Sequence, residues 1–269
     1  MSTVSSVTSR DGTLIAYERG GKGPAVIMVG GGLLDPMTGR AGRAENEPLA
    51  VELARHFTVY NYDRRGRADS GDTPPYDVAR EIEDIEALIA EAGGAAHLYG
   101  LSSGGALALE ATAAGLAVDR LAVYDAPYSV GEEASRLWAN YVEQVTEALA
   151  DGRRGAAIEL FMRVAGASDQ DIAGAKGSAM WPALEGIAHT LAYDAACLGD
   201  GRPPVARLAK IAQPVLVATS DQGTGGFFAD AGDAVAAAVP HAERLTIEAQ
   251  GHVADPKAVA PVLERFFAA

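Results

Sequence analysis

Ser102 stands at the centre of Gly100-Leu101-Ser102-Ser103-Gly104, a G-x-S-x-G pattern with a further glycine at position 105. A serine hydroxyl attacks a carbonyl carbon only when a neighbouring base takes its proton, so the chemistry on offer is acyl transfer. The five residues alone are a weak signal, since a glycine-rich turn that binds nothing reads the same way. The setting strengthens it. The apolar residues 96–99 predict a short buried strand, and the alanine-rich residues 106–114 predict a helix. A sharp strand-to-helix turn between them would lift the hydroxyl clear of the sheet edge. It would also set it beside backbone N–H groups of the new helix, which favour negative charge. Such a turn needs small neighbours. Gly100 and Gly104 supply them, and Gly105 lets the helix pack close to the strand.

The chain offers five histidines as the base. His56 and His97 lie at or within predicted strands, His189 falls in a helical pattern, and His241 follows Pro240 in a loop. His252 differs, because it follows the last predicted strand and precedes the final helix, at the sheet edge that carries Ser102. The base in turn needs an acid to hold one tautomer and stabilise its charged form. Asp125 and Asp221 both end predicted strands at that edge. Asp125 is favoured because Ala126-Pro127 gives it a rigid exit, whereas Asp221 sits beside a glycine-rich loop; Asp221 remains the alternative. The oxyanion needs two donors. One is expected from the Ser103 N–H, the other from Gly30-Gly31-Gly32-Leu33, with Gly32 first and Leu33 second. A phosphate cradle is the other use of such glycines, but no G-x-G-x-x-G helix start or Gly-Lys-Ser/Thr accompanies them.

These residues require a sheet to position them. Residues 3–8 and 13–19 alternate around Arg10-Asp11-Gly12 and predict an edge hairpin. Apolar runs at 25–29, 57–62, 96–99, 120–124, 214–219 and 243–247 predict strands, and helical spacing covers 47–55, 78–92, 103–114, 230–239 and 256–267. Strand and helix alternate, which indicates a doubly wound, mostly parallel sheet. The alternation fails between 128 and 207, where only helical patterns occur, at 132–149, 155–164, 170–176 and 184–195. That stretch is expected to be a helical insertion on the ligand-binding side of the sheet, covering the serine as a cap.

Composition bounds the rest. Nearly half of the 269 residues are hydrophobic, enough for a large core. The single cysteine, Cys197, allows no internal disulfide and no cysteine-based metal site. A net charge of −14 argues against nucleic acid and anionic membrane partners. No apolar run is long enough to span a membrane, and residues 1–10 lack an apolar signal core, so a cytoplasmic location is expected. The expected partner is a small-molecule substrate, with no metal and no cofactor.

Five blocks together carry a family resemblance: Val29-Gly30-Gly31-Gly32, the charged run 62–71, the serine run 100–105, the strand 214–219, and Gly251-His252. In type and order the chain resembles an α/β-hydrolase with a helical cap. The resemblance implies an eight-stranded, mostly parallel α/β-hydrolase sheet formed by 1–127 and 208–269, with the cap at 128–207. It implies Ser102 as nucleophile and His252 as base, and it makes the 62–71 charges an internal salt-bridge and turn network. Two positions depart from the pattern. Relatives commonly have histidine where Gly30 stands, and the common acid position falls on Gln222. Some members place the acid after the strand that follows the serine helix, which is Asp125 here. Dehalogenases and epoxide hydrolases of this fold use aspartate where this chain has Ser102. The expected activity is cleavage of an ester, thioester or lactone of a small to medium apolar substrate. A non-hydrolytic cyclase or lyase-like protein is the alternative. Tyr128, Trp181 and Leu33 are the expected pocket walls, with Trp138, Phe161, Met162 and Met180 as further aromatic and thioether candidates, although such spacing also suits a core.

Overall fold

The computed structural model of the chain describes residues 4–32, 42–223 and 225–269. Eight strands form one sheet in the order β1-β2-β4-β3-β5-β6-β7-β8. They are β1 (Ser5–Thr8), β2 (Leu14–Gly21), β3 (Ala25–Val29), β4 (Thr58–Tyr62), β5 (Ala96–Leu101), β6 (Val118–Tyr124), β7 (Val215–Ser220) and β8 (Ala242–Ile247). The β1–β2 hairpin and the β2–β4 pair are antiparallel, and every later pairing is parallel. The sheet is therefore the doubly wound, mostly parallel one that the alternation predicts.

Parallel strands must be covered on both faces, and their side chains alternate between the two. Ile27 and Val29 of β3, Leu98 of β5, Leu121 and Val123 of β6, and Val215 and Val217 of β7 enter one buried cluster. There they meet α2 (Val78–Glu91), α3 (Ser103–Ala113) and α10 (Phe227–Ala238). The intervening Val26, Met28, Tyr99, Ala122, Tyr124, Leu216 and Ala218 enter the opposite cluster, against α1 (Arg43–Leu53) and α11 (Pro256–Ala268). Each fully buried Leu, Ile or Val contributes roughly 1.5–3 kcal/mol, so the two faces supply most of the cohesion.

Between β6 and β7 the described chain contains only helices. These are α4 (Glu132–Ala150), α5 (Arg154–Val164), α6 (Asp169–Lys176), α7 (Trp181–Ile187), α8 (Leu191–Leu198) and α9 (Val205–Leu208). They bury a third cluster around Tyr141, Val145, Ile158, Met162, Trp181 and Leu191. The helical spacing at 184–195 reads as one helix, but the chain divides it. A 3-10 turn at Ala188–Thr190 separates α7 from α8, and the Thr190 hydroxyl donates to the Ile187 carbonyl at 2.8 Å. That side-chain bond stabilises a tight turn in place of a continuous helix.

Strand register determines what gathers at one edge. Val29 pairs with Gly100, Leu101 with Tyr124, Tyr124 with Ala218, and Ser220 with Ile247. The segments that leave the C-terminal ends of β3, β5, β6, β7 and β8 therefore start side by side, where open α/β sheets bind ligands. Those segments carry Gly30–Gly32, Ser102, Asp125, Asp221 and His252.

Candidate active site

The turn at Ser102 is strained. Its φ is 54° and ψ −129°, a conformation that L-residues rarely adopt and that typically costs about 1–3 kcal/mol. Backbone bonds hold it: Ser102 N–H donates to the Tyr124 carbonyl at 2.9 Å, and the Ser102 carbonyl accepts from Gly105 N–H at 2.8 Å. The flanking glycines are sterically required. A Cβ on Gly104 would lie 2.2 Å from the Gly30 carbonyl oxygen, and one on Gly100 would lie 2.6 Å from the Gly105 Cα. Alanine at either position would push α3 away from the strand ends. Ser103 opens α3, so its N–H is among the first-turn donors that have no partner within the helix.

Asp125 directly follows β6, with a φ of 51°, and is fully buried. Its carboxylate accepts from Ser220 N–H at 2.8 Å, from the Ser220 hydroxyl at 2.8 Å, and meets His252 Nδ1 at 3.0 Å. Of the two candidate acids, it is therefore Asp125 that faces the histidine. Asp221 does something else. Its two oxygens accept from Ala249 N–H at 3.0 Å and Gln250 N–H at 3.1 Å, bracing the loop that carries His252. The Tyr124 hydroxyl adds a second brace by donating to the Gly251 carbonyl at 2.7 Å. The His252 ring is partly exposed and stacks on Phe228, with centroids 4.7 Å apart and planes 11° apart.

The glycine loop lies against the serine. A Cβ on Gly31 would sit 3.1 Å from the Ser102 Cβ. On the other side of the loop, the Gly31 carbonyl accepts from Arg67 Nη1 at 2.5 Å and from Arg64 Nη1 at 3.4 Å. Carbonyl and N–H point opposite ways across a trans peptide, so the Gly32 N–H faces away from the arginines. The Phe161 ring reaches within 3.3 Å of where a Gly32 Cβ would stand.

Asp63, Arg64, Arg65 and Arg67 of the 62–71 run are buried, in keeping with the internal network that the family resemblance implies. Arg64 pairs with Glu81 and Asp194, Arg65 with Asp84 and Asp11, and Arg67 with Asp194. Burial opposes the charge on Asp194, but Arg67 and Arg64 outweigh it and hold the carboxyl below its ordinary range. Glu81 is held low in the same way, chiefly by Arg64.

Other expected site residues lie elsewhere. Tyr128, expected along a substrate pocket, is fully buried in the first core cluster with Cys197 and Leu208. Its hydroxyl meets no partner among the described residues. Trp181 packs inside the helical cluster, its ring 3.4 Å from where a Gly155 Cβ would stand. In both cases the ring's apolar surface is satisfied by core packing. Leu33 lies outside the described residues. His97 is stacked on Phe267 within the core, and His189 Nε2 meets Asp72 at 3.1 Å. Ser220, Phe228 and Asp194 join the site without having been singled out in the sequence. Ser220 directly precedes Asp221 and could have been found as a polar strand end; Phe228 and Asp194 carry no local signal.

Cys197 gives a direct test of this interior. Burial, reinforced by nearby Glu81 and opposed by Arg64, raises its thiol from an ordinary 9.0 to about 12. A raised folded value means the neutral thiol's contribution is fully present below pH 9 and is lost as pH rises toward 12. The native protein should therefore resist Ellman's reagent at pH 8 and react once unfolded. Its stability should fall more steeply between pH 9 and 12 than that of Cys197→Ala, measured by urea unfolding. Equal slopes would show that the thiol is not held neutral by the fold.

Among the described residues, no group of three or more His, Cys, Asp and Glu side chains is arranged to hold a metal ion. No described helix is long and apolar enough to cross a membrane. A family model described as the alpha/beta hydrolase family matches residues 26–262. An alpha/beta hydrolase from Sphaerobacter thermophilus DSM 20745 is 45% identical, with a TM-score of 0.85, over 98% of this chain and 100% of that one. A thermophilic esterase from Thermogutta terrifontis is 21% identical with a TM-score of 0.70, covering 99% and 98% of the two chains. An enol-lactonase from Burkholderia xenovorans LB400 is 18% identical with a TM-score of 0.69, covering 99% and 100%. At those two identities the likeness is one of fold. A search of the curated proteins finds no match.

Proposed function

The chain belongs to the alpha/beta hydrolase family, and on that footing we propose that it is a serine hydrolase that cleaves an ester, thioester or lactone of a small to medium apolar substrate through an acyl-enzyme. The observation that carries this reading is the 3.0 Å contact between His252 Nδ1 and the buried Asp125 carboxylate, at the edge where the strained turn presents Ser102. In this reading the Ser102 oxygen attacks the acyl carbonyl carbon and its proton passes to His252 Nε2. Asp125 holds the Nδ1–H and stabilises the imidazolium. The N–H groups of Gly32 and Ser103 receive the oxyanion. His252 then gives its proton to the departing alkoxide, thiolate or enolate, leaving the acyl group on Ser102. Water loses a proton to His252, attacks the acyl carbon, and releases the carboxylic acid with Ser102 restored.

The helices between β6 and β7 serve in this reading as the cap, and Phe161, beside Gly32, borders the acyl pocket. A series of p-nitrophenyl esters of graded acyl length tests both points. The protein should hydrolyse them, with a pre-steady-state burst of p-nitrophenol approaching one equivalent where deacylation is slow. Phe161→Ala should shift preference toward longer acyl chains by about tenfold, since each methylene in an apolar pocket discriminates by roughly 1–3 kcal/mol. Absence of turnover across the whole series would argue for a non-hydrolytic role. Equal losses on short and long chains would remove Phe161 from the pocket wall.

A further inference from the structure

One carboxylate from the helical insertion touches both sides of the site. Asp194 lies on α8, 91 residues from Ser103 in sequence, yet its Oδ1 accepts from the Ser103 hydroxyl at 2.8 Å and from Arg64 Nη1 at 2.8 Å. Its Oδ2 accepts from Arg67 Nη2 at 2.8 Å. Arg67 passes that constraint to the glycine loop, since its Nη1 donates to the carbonyls of Gly31 and Gly32, at 2.5 and 3.3 Å. Arg64 spans the same gap, donating to the Gly31 carbonyl and the Ser103 hydroxyl while Glu81 grips its far side at 2.7 Å twice. Arg64, Arg67 and Asp194 are all buried.

We propose that Asp194 is a positioning residue that, through Arg67, Arg64 and the Ser103 hydroxyl, fixes the orientation of both peptides that supply the oxyanion donors. The proposal rests on the serine hydrolase reading. The physical case is geometric. A carbonyl gripped by Arg67 cannot rotate without losing a charge-assisted hydrogen bond in a buried site, so the Gly32 N–H cannot turn away. The side chain of Ser103 is fixed at the residue whose own N–H is the other donor. Glycine backbone at 31 and 32 is the least constrained in the chain, and residue 103 sits in the first turn of α3. Donors that are already aimed cost no reorganisation when charge develops, and that is where their catalytic effect originates. Because the carboxylate comes from the insertion, the site is complete only when α8 is seated against the sheet.

The test separates positioning from mere stability. Asp194→Asn keeps the shape but weakens the grip on both arginines. We expect kcat on p-nitrophenyl butyrate to fall about 10- to 100-fold, in the range caused by small displacements of reacting groups, with KM changed by less than about threefold. Affinity for an aliphatic trifluoromethyl ketone, which forms a tetrahedral adduct with an active serine, should weaken by the same factor as kcat/KM. Ser103→Ala leaves no charge unpaired and carries the test if Asp194→Asn does not fold; its kcat should fall about three- to tenfold, again without a matching rise in KM. Asp84→Asn breaks the neighbouring buried pair with Arg65, which touches neither Gly31 nor Ser103. It should lower Tm and leave kcat within about twofold. The proposal is overturned if folded Asp194→Asn keeps kcat within about twofold, or, where Asp194→Asn does not fold, if Ser103→Ala does so, or if Asp84→Asn loses kcat to the same extent. If Ser102→Ala retains turnover, the underlying reading fails first; if Ser102→Ala is inactive while Asp194→Asn is normal, only the positioning role fails.

Discussion

Ser102→Ala will leave a folded protein whose turnover of p-nitrophenyl esters falls by about 10⁶-fold, the scale seen when a triad nucleophile is removed. The fold should survive because the bonds that shape the turn are backbone bonds, from Ser102 N–H to Tyr124 and from Gly105 N–H to Ser102, and alanine retains both. The positive φ at residue 102 is as unfavourable for alanine as for serine, so the change adds little strain. Circular dichroism and Tm should therefore match the parent while kcat collapses. A folded Ser102→Ala protein with near-parental turnover would mean that the hydroxyl is not the nucleophile.

Asp125→Asn will lower kcat by about 10⁴-fold with little change in KM. Two donors from Ser220 face this side chain, and one of its oxygens also meets His252 Nδ1. An asparagine that keeps its oxygen toward Ser220 N–H turns its NH₂ toward Nδ1. That favours the tautomer in which Nε2 carries the proton, and such a ring cannot accept the proton of Ser102. Asp221→Asn should cost less than about tenfold, because the loop it braces is also held by the Tyr124 hydroxyl on the Gly251 carbonyl and by the Asp221 and Gln222 N–H groups on the Gln250 carbonyl. Kinetics of the two variants side by side distinguish them. A crippled Asp221→Asn beside a nearly normal Asp125→Asn would reverse the assignment.

Much of this arrangement is written in local patterns. The apolar runs of β3, β5, β6 and β7 are short and uninterrupted because each strand is buried on both faces, and that composition is visible without a structure. The serine turn is legible because only glycine fits at positions 100 and 104, and a steric demand of that kind leaves its mark in the sequence. Asp125 over Asp221 could be argued from the rigidity of Ala126-Pro127 and from the acid position some family members use; the contact to His252 spans 127 residues and depends on strand register. Asp194 is less accessible still. It lies between Tyr193 and Ala195 with no motif around it, and its partners Ser103, Arg64 and Arg67 are 91 to 130 residues away. Tyr128 and Trp181 show the converse difficulty: helical spacing of aromatic residues does not say which face is core and which is pocket, and both rings lie in packed clusters. The break between α7 and α8 falls within an otherwise helical pattern, at a 3-10 turn where the Thr190 hydroxyl bonds the Ile187 carbonyl.

In the proposed mechanism Ser102 is a nucleophile activated by the histidine that Asp125 holds. The most direct measurement is labelling of the intact protein with a fluorophosphonate, followed by peptide mass mapping. One phosphonyl group per chain is expected, on the peptide that contains Ser102, with labelling lost in Ser102→Ala and slowed at least about a thousandfold in His252→Ala. Stoichiometric labelling on another residue, or no labelling of a folded protein under conditions that modify known serine hydrolases, would contradict it.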